Sequence, residues 1–138
     1  KPMQLSEALR ADGRWRLILF ADASQSCLFK ACDALEKLKG SMAPNSGLYD
    51  VLAVFQQPHR DLDLRAMPRL LLPTKGKYGL IDYERIFALS LRGEDDIFLK
   101  RAIDRQKGAM VLVRPDQFVA DVFPLGEGHA LTAFLSRL

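Results

Sequence analysis

The chain is short of cysteine, histidine and long apolar runs, and each shortage removes a class of protein. Two cysteines in 138 residues allow at most one disulfide, which excludes the cysteine frameworks of small secreted domains. No apolar stretch approaches the roughly 20 residues that a transmembrane helix needs, so no membrane partner is expected. The two histidines, His59 and His129, have no cysteine or carboxylate at metal-ligand spacing. His59 reads as a loop residue and His129 as a solvent-facing residue at a helix start. No G-x-G-x-x-G, P-loop or G-x-S-x-G sequence occurs, which removes the common nucleotide cradles and the serine-hydrolase elbow. Lys1-Pro2-Met3-Gln4 offers neither an initiator methionine nor the apolar core of a signal peptide. The start reads as a cut in a longer chain, and the cysteine usage favours a reducing, cytoplasmic setting.

What is present fits one globular domain. A chain of 138 residues, 49% of them hydrophobic, can bury roughly two thirds of its unfolded surface. The net charge of +3 is concentrated between Arg60 and Lys77, where five basic residues (Arg60, Arg65, Arg69, Lys75, Lys77) face two acidic ones (Asp61, Asp63). That segment has no aromatic before Tyr78 on which a base could stack. It reads as a solvated or domain-facing surface in preference to a nucleic-acid site.

Periodicity predicts the elements in order. Residues 3 to 10 suit a short amphipathic helical turn, closed by Asp12-Gly13. In RWRLILFADA, Trp15, Leu17, Leu19 and Ala21 share one face and Ile18 and Phe20 the other, which predicts a central strand. From about Ser26 to Lys39, Leu28, Ala31, Cys32, Leu35 and Leu38 form a single helical stripe, with Lys37 and Lys39 at its negative end and Gly40 as a cap. After the loop SMAPNSG, LYDVLAVF (48 to 55) predicts a second buried strand, parallel to the first.

From Gln56 to Tyr78 three prolines, Pro58, Pro68 and Pro73, forbid a long helix. The triple Leu70-Leu71-Leu72 is expected to be extended and to need a cover. Residues 80 to 91 suit a helical turn or more, and Glu94, Asp95 and Asp96 the first turn of a helix. Lys100, Arg101 and Arg105 would lie toward its end, with Gly108 as its stop. GAMVLVRPDQFVADVFP then reads as a β-hairpin, with Pro115 second, Asp116 third and Gln117 last in a type I turn. HALTAFLSRL closes the chain as a helix with Leu131, Phe134, Leu135 and Leu138 inward. The fold class is α/β: a βαβ unit, a β-hairpin and a final helix around a mixed sheet, which is the thioredoxin-like arrangement.

That arrangement tests the cysteines. Redox members carry Cys-x-x-Cys at the start of the first helix, where the dipole lowers the first thiol's pKa. Here the stretch is Ser24-Gln25-Ser26-Cys27. Ser24 stands where the attacking cysteine belongs, and Cys27 where the resolving one does. Cys32 lies on the apolar stripe as a small buried hydrophobe, and a Cys27–Cys32 disulfide would unwind the helix. Gln106-Lys107-Gly108-Ala109 occupies the place of the proline that flanks redox pairs. The carboxylates of Asp82-Tyr83-Glu84 and of 94 to 96 read as hydrated faces or helix caps. No catalytic constellation is seen.

Three segments, ADGRWRLILFADA, LLLPTKGKYGLIDYERIF and DRQKGAMVLVRPDQFVADVFPL, resemble the C-terminal domain of FAD-dependent aromatic hydroxylases of the phenol hydroxylase and 3-hydroxybenzoate 4-hydroxylase type. The resemblance runs from about Leu5 to the end. Its most specific pieces are Asp12-Gly13-Arg14 and Arg114-Pro115-Asp116-Gln117, read as structural signatures. It implies a single thioredoxin-like domain over residues 1 to 138 that has lost its redox cysteines, at the end of a flavin monooxygenase chain. FAD, NADPH and a phenolic substrate would belong to other domains of that chain, and this segment would bind no cofactor or metal and hold no catalytic residue. Its implied role is to stabilise and dimerise the parent. The candidate docking surface is Leu70, Leu71 and Leu72 with Arg60, Arg65 and Arg69. Two other readings stay open: a stand-alone thioredoxin-like interaction module without redox activity, and a basic nucleic-acid-binding domain. The reading frame upstream of Lys1 separates them.

Overall fold

The computed structural model describes residues 3–41, 49–89 and 96–135. After one helical turn, α1 (Leu5–Ala8), come strand β1 (Trp15–Phe20), helix α2 (Ser26–Ser41) and strand β2 (Tyr49–Phe55). β1 and β2 are parallel, with Leu17 beside Val51 and Phe20 beside Val54, as the strand–helix–strand pattern predicts. Two short strands, β3 (Thr74–Lys75) and β4 (Leu80–Ile81), form a separate hairpin, and β5 (Ile86–Ala88) follows. One turn of helix, α3 (Ile97–Lys100), leads to β6 (Ala109–Val113), β7 (Val119–Phe123) and α4 (Gly128–Leu135). The main sheet has the order β5-β2-β1-β6-β7. β1 lies at its centre, which is why both faces of that strand are apolar.

The two faces bury different amounts. On one, Leu17, Leu19, Met110 and Leu112 pack against Leu28, Ala31, Cys32 and Leu35 of α2 and Leu131 of α4. Trp15 and Phe123 meet Phe134 edge-on at 6.0 and 6.5 Å. On the other, Ile18, Phe20, Leu52, Val54 and Val113 gather round Phe98, with Leu5 and Leu9 partly buried beside them. Phe20 and Phe98 make a T-shaped pair at 5.5 Å.

Several expectations are corrected. The segment 80 to 91 is not helical where described: it supplies β4 and β5, and β5 joins the sheet parallel to β2, with Ile86 beside Ala53. Three apolar residues are too few for periodicity to tell a strand from a helix turn. The helix after Asp96 stops at Lys100, because Ala102 turns to φ +52 and Ile103 donates back to the Phe98 carbonyl at 2.8 Å. Arg105 therefore lies beyond it, and Gly108 is not its stop. α2 runs through Gly40 to Ser41 in place of ending at a glycine cap.

The triple leucine is neither extended nor uncovered. Arg69–Leu71 is a 3-10 turn entered from Pro68, and Leu70 and Leu71 are 9% and 0% exposed. A second such turn, His59–Asp61, is entered from Pro58. The prolines that forbid a long helix are pre-set for the entry to a short one. The loop expected over 41 to 47 falls, beyond Ser41, outside the described residues. So do Glu94, Asp95 and the side chains of His129, Leu135 and Leu138.

Candidate interaction surface and degenerate thiol site

The start of α2 is where a member of this fold would hold a reactive thiolate. Here Asp22, 2% exposed, fills that role as an anion. Its carboxylate accepts from the Cys27 and Leu28 N–H groups at 3.3 and 3.2 Å and from the Ser24 hydroxyl at 2.9 Å. Burial alone would raise its pKa, but these donors outweigh burial and hold it below the usual carboxylate range. The amides that would favour a thiolate are thus taken by the chain's own carboxylate. Cys27 is half-buried and Cys32 buried, and both are free. Burial, helped by Glu36 and Asp33, pushes the Cys32 thiol up to about 12, so it stays protonated and inert. His59 is exposed in its 3-10 turn.

The signature residues organise two corners. Asp12 grips the Arg16 guanidinium with both oxygens, at 2.8 and 2.7 Å, and also accepts the Arg14 N–H at 3.1 Å. The hydrogen bond from Arg16 holds the Asp12 carboxyl down at about 2. Gly13 supplies the φ of +77 that lets the chain double back there. Arg16 is only 5% exposed, so its charge must be paired. A second carboxylate, Asp50, lies 3.9 Å away, bonds Arg85 at 2.8 Å and stands 3.6 Å from Arg14.

Arg85 in turn reaches buried Asp82 at 3.3 Å. Burial opposes ionisation of Asp82, but the Glu84 N–H and Arg85 keep its carboxyl below the usual range. Asp82 is therefore not the hydrated residue expected, whereas Asp96 is a helix cap, accepting from Phe98 and Leu99 N–H. The sequence reading missed Arg16, Asp50 and Arg85. The available signal was register: pairing β1 with β2 sets Arg16 opposite Asp50.

At the other corner the turn closes as expected, Gln117 N–H donating to the Arg114 carbonyl at 2.9 Å, with Arg114 and Asp116 paired at 2.6 Å. Pro115 is half-buried between them. Gln117 adopts φ +70, and its side chain donates to the Leu9 carbonyl at 2.9 Å. The hairpin register then slips, since Val113 faces Val119 while Leu112 faces Asp121. Ala120 is the extra residue of a β-bulge.

The expected docking surface divides in two. Arg60, Arg65 and Arg69 are exposed, whereas Leu70 and Leu71 belong to the domain's own core and Leu72 packs against it. Besides Met3, Leu64 and Leu99, the exposed large apolar side chains among the described residues fall in two groups. One is the β3–β4 hairpin and its exit, with Tyr78, Leu80, Ile81 and Tyr83; the other is Phe118, Val119 and Val122 along β7. Along β7, Val119 to Val122 are all exposed, and Phe123 alone of the strand is half-buried, meeting Phe134 of α4.

A cavity of about 50 Å³ is lined by Tyr49, Asp50, Val51, Leu70, Pro73 and Arg85. That is the scale of one or two water molecules, against roughly 300 Å³ or more for a cofactor site. The residues around it do not fit a flavin. Among the described residues no three carboxylate, histidine or cysteine side chains converge as metal ligands.

A mixed sheet of this order, with Ser24 where an attacking thiol would stand and Asp22 holding the amides at the start of α2, defines a thioredoxin-like domain without a disulfide-forming cysteine pair. Solved structures agree on the fold: the thioredoxin domain of a thiol-disulfide oxidoreductase from Bacteroides vulgatus aligns with TM-score 0.59 over 98% of this chain and 84% of that one, at 15% identity. A thiol-disulfide oxidoreductase from Bacteroides fragilis aligns with TM-score 0.60 over 91% and 81%, at 14% identity. The chain belongs to the family described as phenol hydroxylase, C-terminal dimerisation domain, which matches residues 1–138. It is 44% identical to 3-hydroxybenzoate 4-monooxygenase of Comamonas testosteroni, over 97% of this chain and 23% of that protein. It is 26% identical to the FAD-dependent monooxygenase terD of Aspergillus terreus, over 99% and 25%. The chain thus spans about a quarter of the length of the curated relatives it matches.

Proposed function

We propose that residues 1 to 138 form the single C-terminal, non-catalytic assembly domain of a cytoplasmic FAD-dependent aromatic hydroxylase, and that it helps to join two copies of that parent chain. On this reading FAD, the reductant NADPH, O2 and a phenolic substrate (phenol or 3-hydroxybenzoate) belong to the bodies that precede this domain. The domain packs on those bodies and on a second subunit. The observation that carries the proposal is the 44% identity to a hydroxybenzoate monooxygenase across nearly the whole chain. The surface supports it: a domain this small that turns Tyr78, Leu80, Tyr83, Phe118, Val119 and Val122 outward carries apolar area suited to covering by a partner.

The test compares the full parent chain with a version ending before Lys1. The full chain is expected to be a yellow dimer that consumes NADPH and O2 when 3-hydroxybenzoate or phenol is added. The shortened chain is expected to lose dimer mass in analytical ultracentrifugation. A colourless or monomeric full chain would overturn the proposal.

A further inference from the structure

We propose that Val119 and Val122 of β7, with Val111 beside them, seat the flavin-bearing body that precedes this domain in its own parent chain. The inference rests on the proposed function and adds the surface and its occupant. Antiparallel pairing sets Val119 opposite Val113 and Val122 opposite Val111, so all four side chains stand on the face that carries Phe98. Among the described residues that face is covered thinly, by the helices α1 and α3 of four residues each. Val113 is covered there, but Val119 and Val122 remain 58% and 56% exposed. Mixed sheets are normally covered on both faces.

The occupant follows from where the chain enters. Leu5 and Leu9 pack on this same face, and Gln117, two residues before Val119, holds the Leu9 carbonyl at 2.9 Å. The first described segment therefore lies on the face of the β7 patch, and on the proposed function the preceding body joins the chain on that side. The curated relatives are about four times the length of this chain, so what is attached there is large. Tethering at that point gives it a millimolar-scale effective concentration that a second copy does not have. The contact is made face-on: the Val122 N–H already donates to the Asp121 carboxylate at 2.8 Å, and a charge on that edge disfavours an added strand. The β3–β4 hairpin, a sheet separate from the one that holds β7, leaves a second copy its own apolar surface in Tyr78, Leu80 and Ile81.

The experiment uses the full parent chain with Val119→Asp and Val122→Asp together. Flavin release on heating, followed by flavin fluorescence, is expected about 3 °C or more earlier. Proteolytic cleavage in residues 3 to 10 should be several-fold faster, with dimer mass unchanged. If the aspartate pair does not fold, Val119→Thr with Val122→Thr keeps the β-branched shape and should give the same shifts at smaller amplitude. Unchanged flavin release and cleavage would overturn the proposal. So would loss of dimer mass at unchanged flavin release, which would assign the patch to the second copy. A wild-type parent that is monomeric or lacks FAD sinks the proposed function and this inference together; a yellow wild-type dimer with an indifferent variant sinks the inference alone.

Discussion

The side chain of Gln117 donates to the carbonyl of Leu9 across 108 residues of chain, at 2.9 Å. One residue of the hairpin turn thereby fixes the first segment of the domain. The Arg-Pro-Asp-Gln corner sets shape on two scales, turning β6 into β7 and anchoring α1. Gln117 does so from a left-handed φ of +70, which costs a residue with a side chain about 1 kcal/mol.

Gln117→Gly separates the two roles. Relief of the left-handed backbone should offset the lost hydrogen bond, leaving global stability within about 1 kcal/mol of the parent. Amide exchange in α1 should nevertheless speed up several-fold. Unaltered exchange there would show that the Leu9 contact does not hold the segment.

Gly108 leaves no room for a side chain. A Cβ would lie 2.3 Å from the Phe20 carbonyl oxygen, 2.4 Å from a Leu125 methyl and 2.9 Å from the Asp22 nitrogen, at a φ of +65. Gly108→Ala is expected to cost about 3 kcal/mol or more in urea unfolding. A loss below about 1 kcal/mol would mean that the loop before β6 shifts freely.

The two thiols should behave differently. Cys27 is half-buried and Cys32 buried with its pKa pushed up to about 12, so a thiol reagent should modify Cys27 first and Cys32 only on unfolding. Cys32→Asp should destabilise by several kcal/mol, since it buries an unpaired carboxylate. Cys27→Ser should leave turnover of the parent enzyme unchanged, because no second thiol lies in exchange geometry. Rapid labelling of Cys32 in the native state would contradict this reading of α2.

Acid should weaken the domain. Asp12, Asp22 and Asp82 all have carboxyl pKa values lowered by folding, Asp12 from 3.8 to about 2. The unfolded chain then binds protons more readily, so stability is fully present above about pH 4 and falls as pH drops toward 2. Asp22→Asn should flatten part of that slope in denaturant titrations between pH 2 and 5. An unchanged slope would show that the start of α2 does not depend on the charge.

Leu70→Asp with Leu72→Asp should unfold the 138-residue chain. Leu70 is buried in the core cluster and Leu72 packs against it, and full burial of one leucine is worth about 2 kcal/mol. Retention of cooperative thermal unfolding near the parent temperature would return these leucines to the surface.

Local pattern alone determined the parts of this protein that carry their own signal. The stripe from Leu28 to Leu38, the apolar runs of β1, β2 and β6 and the Pro115 turn were legible because each repeats a period or fixes a dihedral within a few residues. The substitution of Ser24 for an attacking cysteine, and with it the lack of a disulfide-forming pair, was legible for the same reason. Tertiary structure decided what depends on distant neighbours. β5 is a strand because β2 offers a parallel edge to Ile86, and Leu70 and Leu71 are core because their 3-10 turn folds them under the sheet, while Arg60, Arg65 and Arg69 of the same segment turn outward. Asp22, Arg16, Asp50 and Arg85 gain their roles only when the folded chain places charge against charge at 2.7 to 3.9 Å or against backbone N–H groups. Exposure is likewise a property of the assembled sheet: valine is a residue of cores and strands alike, and it is the place of Val119 and Val122 on an edge strand, on the face away from α4, that leaves them open to a partner.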